Sequence, residues 1–278
     1  MFRGLYTATS GMMANNRQQQ ILTNNLSNAN TPGFKEDQTV FRAFPEQLIK
    51  AVENSKKGTI VPHNIGTLTT GVYTQEGIPS FLQGPLKETG NQTDIALLDE
   101  LLPKNPDTQQ RGSMVFAVAA EDGDVRYTKN GSFAVDTNGF LTTSDGFAVL
   151  GENLQPIQVG SADFTVEENG QIILANGSQE DRLWIGHTEN PEQFVKEGQN
   201  LLRWAGNPEA LPQFIDDVEL LDGTNNFIKQ GFIEQSNVDL TKTMTDMMTT
   251  YRGFESNQKV IQAYDRSMEK AVNEIGRV

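Results

Sequence analysis

The chain has 278 residues, two histidines, no cysteine and a formal net charge of −14. That length can bury a sizeable core spread over one to three domains, and the missing cysteines exclude both a disulfide framework and a thiolate metal site. Only 36% of residues are hydrophobic, so part of the sequence is expected to stay uncovered until a partner arrives.

The acid is unevenly placed. Counting Lys and Arg against Asp and Glu, residues 1–60 carry +3, residues 61–236 carry −17 and residues 237–278 carry zero. An acidic middle argues against nucleic acid as the partner. Near-neutral ends suit close packing against like copies. No stretch is apolar for long enough to span a membrane. Met1-Phe2-Arg3 is not followed by the apolar run of a secretory signal. The expectation is a cytoplasmic chain, or one that is exported without a cleaved signal.

Taken in order, Leu5, Ala8, Met12, Leu22, Leu26 and Ala29 recur at heptad spacing, with Asn15 and Gln19 as polar members. This predicts a helix over residues 4–29. The run from Asn15 to Gln20 is so polar that the helix is marginal by itself. Pro32 disfavours helix in the residue before it, and Gly33 permits a turn. Beyond it, Phe41, Phe44, Leu48, Ile49 and Val52 predict a short amphipathic helix after Pro45, ended by Lys56-Lys57-Gly58. The threonines and valine from Thr67 to Tyr73 read as strand.

The character changes at Phe81. Asp122-Gly123, Asn130-Gly131, Asn138-Gly139, Asp145-Gly146, Asn169-Gly170 and Asn176-Gly177 punctuate short apolar runs. Turns spaced in this way predict an antiparallel β domain reaching to about Phe227. Trp184 and Trp204 read as its packing residues.

The last 42 residues, from Asn237 to Val278, contain no proline. Leu240, Met247, Phe254, Ile261, Met268 and Ile275 form one line of a heptad seam, and Met244, Tyr251 and Val272, with polar Gln258 and Asp265, form the other. Such a helix is roughly 55 Å long and needs another helix beside it. The expected fold is therefore α+β: long N- and C-terminal helices packed as a coiled coil, with a central antiparallel β-rich domain. The expected division is 1–34 with 237–278 as helical core, 35–80 as linker, and 81–236 as β domain. The residues expected at an assembly interface are Leu22, Leu26, Leu240, Met247, Phe254, Ile261 and Met268.

No chemistry is legible. His63 and His187 lack neighbours of ligand type, and Asp122-Gly123-Asp124 has neither the spacing nor the closing glutamate of a calcium loop. The adjacent carboxylates Glu36-Asp37 and Asp216-Asp217 do not suggest a catalytic pair, and no phosphate-binding loop or nucleophile elbow is present. Catalytic, cofactor-binding and metal residues are all expected to be none, and the chain is not expected to be an enzyme. The methionines Met244, Met247 and Met248 read as packing between subunits.

Several motifs carry a resemblance. Asn24-Asn25-Leu26-Ser27-Asn28-Ala29-Asn30-Thr31-Pro32-Gly33-Phe34-Lys35 resembles the N-terminal motif of bacterial flagellar rod and hook proteins. Ser236-Asn237-Val238-Asp239-Leu240 and the stretch from Tyr251 to Ile261 resemble its C-terminal motif. Gly84 to Asn91, Tyr127 to Phe133 and Gly198-Gln199-Asn200-Leu201 are also similar to the family. One stretch departs: from Leu97 to Gly112 a polar, proline-containing run stands where the family has a Gly-x-Gly-Phe-Phe entry to a strand. In this respect the chain resembles the rod proteins of Gram-positive bacilli.

The resemblance implies a structural subunit of the basal-body rod that self-assembles through its terminal helices. It implies further copies, neighbouring rod or hook subunits and the flagellar type III export apparatus as partners, with neither nucleic acid nor a membrane span. It places the chain in the flagellar basal body, outside the cytoplasmic membrane. The alternatives are a rod-associated cell-wall hydrolase and a surface binding module on a coiled-coil stalk.

Overall fold

The computed structural model describes residues 3–54, 60–75, 77–99, 102, 111–120, 122–208, 211–215 and 227–275, with backbone alone for 47–54, 60–65 and 275. These residues form two compact units. One comprises residues 1–27, 37–78 and 239–278; the other comprises 28–36 and 79–238. Strand predominates, with two α-helices against twenty-two short strands among the described residues.

The larger unit is built around the strand Ser113–Ala119, which is buried along almost its whole length. Alternate side chains of a strand point to opposite faces. Met114, Phe116 and Val118 accordingly enter one apolar cluster, with Ile95, Phe133, Leu141 and Ile185. Val115 and Ala117 enter a second, with Tyr127, Trp184, Phe194 and Leu202. A strand covered on both faces reads as a continuous apolar run, as Met114 to Ala120 does. The sheet order places Ala148–Val149 and Val125–Thr128 on either side of it, and Ile185–Thr188 also pairs with it. Each of these pairings is antiparallel.

The turn signals explain the hairpins. Gly123, Gly139, Gly146, Gly170 and Gly177 all hold positive φ, between 80° and 90°. Asn130-Gly131 differs: Asn130 is buried, and the amide of Ile95 donates to the Gly131 carbonyl at 2.9 Å. That glycine permits a close backbone approach instead of a turn. Trp184 and Trp204 both lie in the second cluster, with Tyr127 5.6 Å from Trp184 and Phe194 5.2 Å from Trp204.

A buried ionic group lies in the same unit. Lys35 Nζ is 2.7 Å from Glu234 Oε1, and Lys129 Nζ is 2.6 Å from Asp99 Oδ2, all four side chains being at most 4% exposed. Lys35 also donates to the Leu82 carbonyl and Lys129 to the Met114 carbonyl. Glu234 Oε1 accepts the Gly84 amide, and Asp99 accepts the Met114 amide and the Ser113 hydroxyl. Glu234 Oε2 receives no hydrogen bond among the described residues, yet Lys129 Nζ stands 3.8 Å away, close enough to balance its charge though too far to donate. Burial pulls the Lys35 amine below its ordinary pKa, and the Glu234 carboxylate opposes that fall. Buried charges persist where each has a partner and further hydrogen bonds. The two lysines sit in motifs that resemble the family; Asp99 sits in the stretch that departs from it.

His187 is buried on Ile185–Thr188, and its Nε2 has no hydrogen-bond partner among the described residues. Burial holds its pKa below the ordinary value against the raising effect of Glu189 and Asp99. His63 falls where only backbone is described. Asp122-Gly123-Asp124 forms the turn between two strands, and its carboxylates face Arg126 at 3.0 and 3.4 Å.

The smaller unit holds helix α1 (Arg3–Ser27) and helix α2 (Leu240–Lys270). The short helix expected after Pro45 is instead a strand, Gln47–Asn54, paired antiparallel with Ile60–Leu68 over eight residues. A two-turn helix is unstable in isolation, and that ladder satisfies the same backbone groups. Lys56-Lys57-Gly58 lies outside the described residues. Val72–Thr74 pairs with Phe41–Ala43 and packs on α1, where the Thr74 hydroxyl donates to the Ala14 carbonyl at 3.0 Å.

The expected coiled coil is not what forms. Met244, Tyr251 and Val272, assigned to the second line of the seam, are 51%, 57% and 72% exposed. The line that faces inward is displaced by one residue, to Thr243 and Thr250, which are the buried residues of α2. A coiled coil inserts large apolar knobs into holes. Here small and polar side chains meet α1, and a strand covers another flank of that helix.

Candidate assembly surface

The start of α2 is well determined. Asp239 caps it, its carboxylate accepting from the amides of Thr241 at 2.9 Å and Lys242 at 3.0 Å. Such a cap satisfies two of the four free amides at a helix start. At the end of α1, Asn25 is wholly buried. Its side chain donates to the Asp37 carbonyl at 2.9 Å and accepts the Asp37 amide at 3.0 Å, so the returning chain is held against the helix.

The two helices run antiparallel. The Tyr264 phenol lies across Gly4, Asn257 packs on Gly11, Asn15 packs on Gly253, and the Thr250 hydroxyl donates to Gln18 Oε1 at 3.0 Å. Every step forward along α1 is matched by an equal step back along α2. Continuing these steps puts Leu22 level with Asp246 and Met247. Leu22 is buried and Leu26 half-buried; Met247, Phe254, Ile261 and Met268 are half-buried; Leu240 is exposed. Of the seven expected interface residues, all but Leu240 therefore lie on or beside the face that α1 and α2 share within one chain. Sequence reasoning missed the partners that touch there: Gly4, Gly11, Gln18, Thr250, Gly253, Asn257 and Tyr264. Their signal was available as glycines inside helices, which cost about 1 kcal/mol each against alanine and so need a packing reason.

Over its first three turns, α2 carries an apolar row on its outward side. Leu240, Met244, Met248 and Tyr251 are 43% to 66% exposed and lie at spacings of four, four and three, which places them on one side of the helix. On α1, Tyr6 and Met13 are 69% and 67% exposed. Large exposed apolar patches mark surfaces that bind other proteins. Among the described residues no cluster of His, Cys, Asp or Glu could hold a metal, and no helix is long and apolar enough to cross a membrane. What this surface can do is bury apolar area against another protein.

Comparison with known proteins agrees at both ends and in the middle. A profile of the flagellar basal body rod FlgEFG protein C-terminal region matches residues 229–274, a profile of the flagellar hook protein FlgE/F/G D1 domain matches 111–178, and a profile of flagella basal body rod proteins matches 5–35. The chain is 41% identical over 278 residues to flagellar hook-basal body complex protein FlhO of Bacillus subtilis, covering 100% of both. It is 30% identical to flagellar basal-body rod protein FlgG of Agrobacterium fabrum, covering 95% of each chain. It is 30% identical to FlgG of Bacillus subtilis, covering 98% of this chain and 99% of that one. The chain belongs to the family of flagellar basal-body rod and hook-basal body proteins.

Proposed function

We infer that this chain is a structural subunit of the flagellar basal-body rod, and that it works by assembly with other rod and hook subunits, not by catalysis. The full-length likeness to rod and hook-basal body proteins supports the assignment. The observation that carries the mechanism is the row Leu240, Met244, Met248 and Tyr251, which the chain itself leaves uncovered. Head-to-tail contacts that do not close build a helical filament, and an uncovered apolar row supplies the area for one. Leu22, Leu26, Met247, Phe254, Ile261 and Met268 support that row from the shared helix face. The chain reaches the basal body through the flagellar type III export apparatus.

Five acidic residues of the larger unit have structural partners: Asp99 and Glu234 hold lysines, and Asp122, Asp124 and Glu197 surround Arg126. That supports a subunit over a hydrolase. The test uses cells producing the tagged chain. It should copurify with hook-basal bodies, and its deletion should stop swimming. The combined changes Met244→Ser, Met248→Ser and Tyr251→Ser should leave the purified chain folded but absent from basal bodies. Normal incorporation of that variant would overturn the surface assignment. Absence of the unmutated chain from basal bodies of swimming cells, or lysis of peptidoglycan by the purified chain, would overturn the subunit reading.

A further inference from the structure

The two helices carry the same five-residue pattern. α1 has Gly11-Met12-Met13-Ala14-Asn15, and α2 has Gly253-Phe254-Glu255-Ser256-Asn257. In the antiparallel pair each asparagine sits on the other helix's glycine. A β-carbon built on Gly11 would lie 2.9 Å from Asn257 Nδ2 and 3.5 Å from its Cγ; one built on Gly253 would lie 2.9 Å from Asn15 Nδ2 and 3.5 Å from its Cγ. The two contacts are related by a local two-fold axis between the helices. Gly4 under Tyr264 is a third seat of the same kind. These are the three glycines that lie within α1 and α2, and each is covered by a polar side chain of the opposite helix.

We propose that the reciprocal Gly11–Asn257 and Gly253–Asn15 contacts set the register of the helix pair, and so decide where along α1 the outward row of α2 is presented for assembly. Apolar side chains alone do not determine it. Met247, Phe254, Ile261 and Met268 repeat every seven residues, so sliding one helix by a heptad replaces each apolar residue with another. The seats do not repeat. Slipped one way, Asn257 still finds Gly4, but Gly11 meets Thr250 and Asn15 meets Asp246. Slipped the other way, Tyr264 still finds Gly11, but Asn15 meets Val260 and Leu22 meets Gly253. The three seats are filled together in one register, and polar residues at a helix contact are a known means of fixing alignment at some cost in stability. These residues position the surface; the surface residues make the contact with the neighbour.

The register can be read as a distance within one chain, so its failure would leave the rod assignment standing. The chain has no cysteine, and Thr23 and Ser256 are exposed. Spin labels at Thr23→Cys and Ser256→Cys should give one narrow separation by pulsed electron resonance. A slip of one heptad moves the helices past each other by about 10 Å. Gly11→Asn puts two amides into one seat, and Asn257→Gly empties it. Each should broaden or shift the distance. The double change Gly11→Asn with Asn257→Gly refills the seat from the other helix and should return the unmutated distance. Near-ultraviolet dichroism of Trp184 and Trp204 should stay constant throughout, reporting that the larger unit remains folded. The proposal is overturned if either single variant keeps the unmutated distance, if the double is no closer to it than the worse single, or if the unmutated chain itself gives a broad distribution.

Discussion

The two units hold together by opposite means. In the larger, Phe116, Phe164, Phe194, Leu97, Met114 and Ile172 are almost wholly buried, and the sheet is covered on both faces. In the smaller, α2 runs for 31 residues and buries two threonines. The larger unit behaves as a finished domain. The smaller keeps much of its apolar surface outward and aligns its helices with glycines and amides. A subunit that must fold by itself and then join a filament needs both: one region with its free energy already realised, and another that holds its apolar area in reserve.

The largest expected loss is in the finished unit. Phe116→Ala removes a ring that packs edge-on against Phe133 at 5.1 Å, and should cost about 4 kcal/mol. Urea unfolding followed by tryptophan emission would read it, and a loss below about 1 kcal/mol would mean the two-core description is wrong. Next comes the ionic group. Glu234→Leu leaves Lys35 buried beside an apolar side chain and should cost about 3 kcal/mol. Adding Lys35→Met should recover much of that. If the double variant is as unstable as the single, the lysine was not the source of the penalty.

The smaller unit should answer more weakly. Asp239→Ala deletes the cap on Thr241 and Lys242 and should cost about 1 kcal/mol, seen as lost helical ellipticity with near-ultraviolet dichroism unchanged. A parallel loss in both signals would show that the two units do not respond separately.

The smallest effect is a slope. His187 is held below its ordinary pKa of 6.5, chiefly by burial. As pH falls through that value the unfolded chain takes up a proton that the folded chain refuses, so stability drops until the folded pKa is passed. His187→Gln should flatten the change in urea midpoint between about pH 7.5 and about pH 5.5. An identical drop in both proteins would assign the slope to other groups.

How much of this was legible follows from the range of each interaction. Asn138-Gly139 and Asn176-Gly177 announced turns because the need for positive φ is local. Helices α1 and α2 were legible from periodicity, and so was the line Met247, Phe254, Ile261, Met268. The second line was not, because Met244 and Tyr251 look like core residues while Thr250 and Asn257 do not. Hydrophobicity ranks side chains by transfer from water; a helix contact built on glycine ranks them by how closely two backbones approach. Asp99 and Glu234 could not be matched to Lys129 and Lys35, since nothing in spacing links partners so far apart in the chain.

That last separation has a bearing on timing. Lys35 and Glu234 stand 199 positions apart along the polypeptide. Whichever end emerges first from a ribosome or a channel, most of the chain must follow before the lysine meets its carboxylate. Contacts of such long range form slowly, because a large loop has to close before they repay it. Until then the sheet can assemble locally, hairpin by hairpin, while Lys35 stays in water. The buried pair thus acts as a completion mark: the larger unit reaches full stability only after nearly all of its own sequence has arrived, and a chain halted partway is left with an unmatched lysine and an unfinished core.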